Sequence, residues 1–235
     1  MKRFVGNTLV AIFLTACFSN AWAVDPVKET RQTEPFTSIE LNGGYLVFIT
    51  QGPGCSLTLE GDPAILKDIK TEVKRNQLII EPRKKLLRIK TDKVKIYLTV
   101  KEIAGLDVSG SSTVECQGAF QTEKMDINIG GSGSVTMEVS AKEIVCDIAG
   151  SGDITLKGRA DNIDVDIAGS GAVKAIELEA KSAKVDIAGS GDVQVAVSQR
   201  LDGTILGSGD IVYRGTPVNV YSDIVGSGRI TKSAD

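Results

Sequence analysis

Aspartate is the residue type whose placement in this sequence most resembles a site. Asp107, Asp147, Asp166, Asp186 and Asp223 recur at nearly constant spacing, with Asn128 and Thr204 filling the same column. Asp153, Asp192 and Asp210 form a second, shorter set a few residues later. Carboxylates gathered in this way have two chemistries. Several of them with backbone carbonyls suit Ca²⁺, and a pair flanking a sugar bond suits glycoside hydrolysis. The Ca²⁺-binding nonapeptide repeat, however, orders its Gly and Asp differently and has about half this period. A simpler role is that each Asp accepts N–H bonds from a neighbouring glycine-rich corner, as Asp does in turns.

Serine recurs as regularly, at Ser111, Ser132, Ser151, Ser170, Ser190, Ser208 and Ser227. A serine nucleophile is needed once, beside a base, and the chain has no His. Equivalent serines without a base read as a hydrogen-bonded ladder. A third candidate is the basic run of Arg83, Lys84, Lys85, Arg88, Lys90, Lys93 and Lys95, interrupted only by Asp92 among charged residues. Such a run attracts phosphate or sulfate, or is simply a solvated loop. It lacks the interleaved aromatics of single-strand nucleic-acid binding, and the net charge of -3 gives no global field for nucleic acid. No metal or cofactor is expected.

The element that positions these columns is a repeat. Gly-Ser-Gly stands at 131–133, 150–152, 169–171, 189–191, 207–209 and 226–228, preceded by the degenerate Gly110-Ser111-Ser112. The first glycines are 21, 19, 19, 20, 18 and 19 residues apart. Two residues before each stand Val108, Ile129, Ile148, Ile167, Ile187, Ile205 and Ile224. Four residues after stand Val114, Val135, Ile154, Val173, Val193, Ile211 and Ile230. Alternation on both sides of the glycines means strand, corner, strand, and the glycines supply positive φ for the corner. A unit of this size buries one face only, so successive units must stack. The expected fold is all-β, a parallel β-helix of about seven rungs roughly 34 Å long at ~4.8 Å per rung. Hairpins in a sandwich are the alternative, and they leave the identical corners unexplained.

Before the repeat, residues 24–35 read as a polar linker. Strands are expected at Ser38–Leu41, Tyr45–Thr50, Ser56–Leu59, Gln77–Ile80 and Val94–Val100, with a helical turn begun by Asp62-Pro63. Residues 36–105 are thus irregular rungs or a cap, 106–232 are regular repeats, and 36–235 form a single domain. The start of the chain reads as an export signal: Lys2 and Arg3, the apolar run Leu9 to Phe18, then Ala21-Trp22-Ala23. Cleavage after Ala23 gives a signal peptide over 1–23. Leu14-Thr15-Ala16-Cys17 also fits a lipobox, in which 1–16 is removed and Cys17 carries lipid. Cys55, Cys116 and Cys146 remain in either mature chain, an odd number. Cys116 and Cys146 fall on inward positions and read as small buried hydrophobes.

The segments Ile39-Glu40-Leu41, Val47 to Gly52, Ile69 to Val73, Val94 to Val100 and Leu201 to Arg214 with Gly215 and Pro217, closed by Gly226-Ser227-Gly228, resemble a bacterial family. The family is the putative auto-transporter adhesin, head GIN domain, and the resemblance runs from about Phe36 to Lys232. It implies a β-helical fold and export, often with a lipid anchor, and it brings no catalytic residues. The cysteines depart from its pattern. Together these readings point to a non-catalytic exported envelope protein in the periplasm or at the cell surface. It would act as a scaffold or adhesin-like module binding an envelope or surface macromolecule, glycan or protein. Its contact with membrane would be through lipidated Cys17, anchoring it to the outer membrane. The alternative is a polysaccharide-active β-helix enzyme using carboxylates, against which stands the recurrence of the acids rung after rung.

Overall fold

A computed structural model describes residues 25–83 and 91–233. The strands are β1 (Val27–Arg31), β2 (Ser38–Gly43), β3 (Leu46–Gln51), β4 (Ser56–Gly61), β5 (Ile69–Lys74), β6 (Gln77–Pro82), β7 (Lys95–Val100), β8 (Gly105–Gly110) and β9 (Thr113–Gln121). They continue with β10 (Lys124–Gly131), β11 (Ser134–Gly150), β12 (Asp153–Gly169), β13 (Ala172–Gly189), β14 (Asp192–Gly207), β15 (Asp210–Arg214), β16 (Asn219–Gly226) and β17 (Arg229–Lys232). One helical turn, α1 (Pro63–Leu66), follows Asp62, whose side chain accepts from Ala64 N–H.

The repeat folds as a parallel β-solenoid. Each long strand contributes the second limb of one rung and the first limb of the next. Residues of one column meet in register: Ile148 lies beside Ile167, Ile167 beside Ile187, and Ile187 beside Ile205. Val135, Ile154, Val173 and Val193 stack in the same way on the other limb. Both columns are buried from Val108 and Val114 to Ile205 and Ile211. A stripe of β-branched side chains fits this surface because their restricted χ1 suits the pleat.

The corners depend on glycine for two separate reasons. Gly110, Gly131, Gly150, Gly169, Gly189, Gly207 and Gly226 all have φ between 126° and 140°, a region L side chains rarely enter. A Cβ at Gly169 would also lie 2.3 Å from the Gly150 carbonyl oxygen. The second glycine of each triplet is required by packing, since a Cβ at Gly191 would lie 2.7 Å from Ile167 Cγ2. Gly43 shares the conformation at φ 145°, so Asn42-Gly43-Gly44 is an additional corner. The degenerate triplet next to it is explained there. Ser112 is buried, and its hydroxyl donates to Gly43 O and accepts from Tyr45 N–H.

The N-terminal part supplies both rungs and a cap. The pair β2/β3 lies between β6/β7 on one side and β8/β9 on the other, in parallel register. Chain order and spatial order therefore differ. The strand β4 runs antiparallel to β7, β1 antiparallel to β4, and β5 antiparallel to β6. Two departures from the sequence reading lie here. Residues 27–31, read as linker, form β1, and Arg31 ties it down by donating to Leu66 O, Ile69 O and Thr71 Oγ1. The strand β5 joins β6 through Arg75 and Asn76, both at positive φ, as a two-residue hairpin requires.

Candidate functional site: the outward face of the rod

On the limb before each corner, outward positions alternate with the buried ones and form three columns. The middle column holds Asp107, Asn128, Asp147, Asp166, Asp186, Thr204 and Asp223. The column next to the corner holds Ser109, Gly130, Ala149, Ala168, Ala188, Leu206 and Val225. The far column holds Asp126, Val145, Asp164, Lys184, Asp202 and Tyr221. Asp147, Asp166, Asp186 and Thr204 with Ala149, Ala168, Ala188 and Leu206 border a shallow depression of ≈ 420 Å³. It is a wide, open face with carboxylates beside small apolar groups.

In the second set Asp192 accepts from Asp210 N–H beside the next corner at 3.2 Å, but no carboxylate of the column from Asp107 to Asp223 accepts from the corner N–H groups as the sequence suggested. Those N–H groups already bond to the preceding rung: Ser151 N–H to Gly131 O, Ser170 N–H to Gly150 O and Ser190 N–H to Gly169 O, each at 2.8 Å. Asp107 and Asp186 bond sideways instead. Asp107 accepts from Gln77 Nε2 at 2.8 Å and from Asn128 Nδ2 at 2.6 Å. Lys184 lies 2.6 Å from Asp186 and 3.7 Å from Asp164.

Electrostatics separate the members of the column. Partial burial pushes the Asp147 carboxyl above its ordinary range, and Asp164 and Asp126 add to the rise. Burial does the same for Asp166, where Lys184 opposes it and Asp164, Asp186 and Asp147 reinforce it. Asp186 is also penalised by burial, but its bonds from Lys184 and Thr204 outweigh this and hold it below its ordinary value. Among the described residues, no three of His, Cys, Asp and Glu converge as a metal site.

The serine ladder is real, but its rungs are backbone bonds. The hydroxyl-bearing side chains of Ser111, Ser132, Ser151, Ser170, Ser190, Ser208 and Ser227 sit on exposed corner residues. Of the basic run, Lys84, Lys85, Arg88 and Lys90 lie outside the described residues, as does Cys17. Arg83 donates to Lys67 O, and Lys95 pairs with Glu60, so these two serve the cap. Cys55, Cys116 and Cys146 are free thiols. Cys146 is buried in register between Ile127 and Val165. Burial pushes the Cys116 thiol up to about 12, away from the reactive thiolate form. The alanine column was missed from sequence, although the repeated Ile-Ala-Gly-Ser-Gly units carry it plainly.

Residues 35–217 match the family described as putative auto-transporter adhesin, head GIN domain. The chain belongs to this family. Solved structures similar to this GIN-domain chain include a putative adhesin from Bacteroides fragilis NCTC 9343, at TM-score 0.83 and 23% identity, covering 89% of this chain and 97% of that one. A putative lipid binding protein from Parabacteroides distasonis ATCC 8503 is 28% identical at TM-score 0.73, covering 89% and 97%. A putative adhesin from the same organism has TM-score 0.70 at 22% identity, covering 90% and 98%. No curated protein matches the chain. The two putative adhesins share its fold over nearly their whole length.

Proposed function

We propose that the protein is a non-catalytic binding module of the bacterial envelope, whose working surface is the flat outward face of Asp and Ala columns. The observation that carries this reading is periodicity. The same carboxylate and small apolar pair, Asp147 with Ala149, Asp166 with Ala168 and Asp186 with Ala188, recurs in register on successive rungs. An extended polymer meets such a face in equivalent steps of ~4.8 Å. Carboxylates accept hydroxyl or amide N–H donors, and the alanine strip takes an apolar ring face or side chain. Membership of an adhesin-like family supports binding rather than turnover.

Export goes with this reading. The leader is removed either after Ala23 or before Cys17, and in the second case the lipid on Cys17 holds residues 36–235 at the outer membrane. No helix among the described residues is long and apolar enough to cross a membrane. The partner is an envelope or surface macromolecule, glycan or protein. Glycan arrays and pull-downs from envelope extracts test the proposal with wild type and Ala168→Arg, which places a large cation on the exposed strip. Binding that Ala168→Arg abolishes, with an unchanged melting temperature, supports the face assignment. Binding untouched by Ala168→Arg moves the site elsewhere, and turnover of a polysaccharide overturns the reading.

A further inference from the structure

The two ends of the rod are treated differently. At the N-terminal end the outer strands carry charge: β1 reads VKETR and β5 reads IKTEVK. Charged edges of this kind discourage strand addition. At the C-terminal end, β16 pairs with β14 and β17 with β15, and no described strand continues the ladder beyond them. The sequence of β16 is NVYSDIVG, eight residues with Asp223 as its one charge. Exposed large hydrophobics gather at this end. Val218 is 84% exposed and Val225 62%, and Leu206, Val220, Tyr221 and Ile224 are exposed beside them; the remaining one among the described residues is Val27. A long, weakly charged edge strand with apolar side chains is a template for another strand.

We propose that this end is a self-association surface, on which a second copy of the chain docks about a two-fold axis with β16 antiparallel to its counterpart and Ser222 opposite Ser222. Side-chain complementarity selects this occupant and this register. Pairing about Ser222 sets inward Val220 against inward Ile224 of the other copy, twice by symmetry, so the exposed ends of the two aliphatic cores close on each other. It also sets Asp223 against Tyr221 of the other copy. The Arg200 guanidinium, paired within its own chain with Asp202 at 2.7 Å, lies 5.0 Å from the Tyr221 ring centroid, so each Asp223 approaches that ion pair across the junction. A shift by one residue would oppose inward and outward side chains. Isologous contacts of this kind close after two copies, which leaves the Asp and Ala faces of both rods open along a doubled length.

Sedimentation of the purified protein across a dilution series tests the proposal, together with two variants. The expected result is a two-chain mass that falls to one chain on dilution, with Val220→Asp one chain throughout at an unchanged melting temperature. Ser222→Cys should form a 222–222 disulfide on oxidation, because directly opposed residues of antiparallel strands have Cα atoms about 4.5–5.5 Å apart. Val225→Cys, opposed to Asn219, should not self-link. If Val220→Asp unfolds the last rung, the cysteine pair still decides the question. Wild type of single-chain mass throughout, or a dimer in which Ser222→Cys fails to link, overturns the proposal.

Discussion

Truncating Ile167 to alanine tests the in-and-out assignment on which every face of the rod depends. Ile167 is 2% exposed and lies in register between Ile148 and Ile187. Its Cγ2 packs over Gly191 of the next corner, where a Cβ would lie 2.7 Å away. Ile167→Ala removes three carbons, worth about 2.4 kcal/mol at ~0.8 kcal/mol per buried CH₂. The cavity left in a close-packed core raises the cost into the range of ~2–5 kcal/mol. Flanking rungs of the same width hold the site open, so the upper half of that range is expected. The comparison is Asp166→Asn, one residue away on the outward face. It removes a carboxylate whose neighbours include Asp164, Asp186 and Asp147, and its effect should stay within ~0.5 kcal/mol, as for most surface changes. Urea unfolding followed by circular dichroism measures both, and hydrogen exchange reports whether loss is confined to adjacent rungs, as nearest-neighbour stacking allows. If Asp166→Asn were the more damaging change, the faces would be exchanged and the column argument would fail.

Four further outcomes follow from the same geometry. Gly169→Ala should lower stability by more than ~1–3 kcal/mol, the cost of strained backbone alone, because its Cβ also meets Gly150 O; Gly54→Ala, with nothing within 4 Å, is the neutral control in the same melt. Arg31→Ala should cost roughly 1.5–3 kcal/mol, the worth of a bond to a charged group, and should expose β1 and β5 first to hydrogen exchange. The raised carboxyls of Asp147 and Asp166 favour the protonated folded state. Their contribution is therefore fully present below the unfolded carboxylate range and is lost as pH rises through their folded values. Wild type should gain stability relative to the Asp147→Asn/Asp166→Asn variant on acidification through that range, a difference read from paired thermal melts. Asp210, held down by its bonds from Arg229, acts in the opposite sense, so Asp210→Asn should flatten the loss of stability at low pH.

What was legible in the sequence is what the rungs repeat. The Ile and Val columns and the corner glycines each state one constraint many times, and the solenoid is the arrangement that satisfies all of them. Strands β1 and β5 were illegible for the opposite reason. The strand β1 is an exposed edge whose residues, VKETR, have no buried face to mark a period, and its place is set by Arg31 reaching carbonyls some 35 residues away. The strand β5 offers Ile69 as its one buried residue, and its hairpin turns on Arg75-Asn76 rather than on glycine. The insertion of β2/β3 between β6/β7 and β8/β9 depends on distant pairing, which local alternation does not encode. The outward face was half legible. Its Asp column was recognised, but its bonding was assigned to corners whose N–H groups are already committed to the rung before.

The measurement that bears most directly on the binding reading is to incubate the purified protein with isolated envelope polysaccharide and envelope protein fractions, following retention and polymer length together. Saturable retention that Ala168→Arg removes, with polymer length unchanged, is the expected result. Shortening of the polysaccharide by wild type, abolished by replacing one or two of the face carboxylates, would contradict it and make those carboxylates a reaction centre.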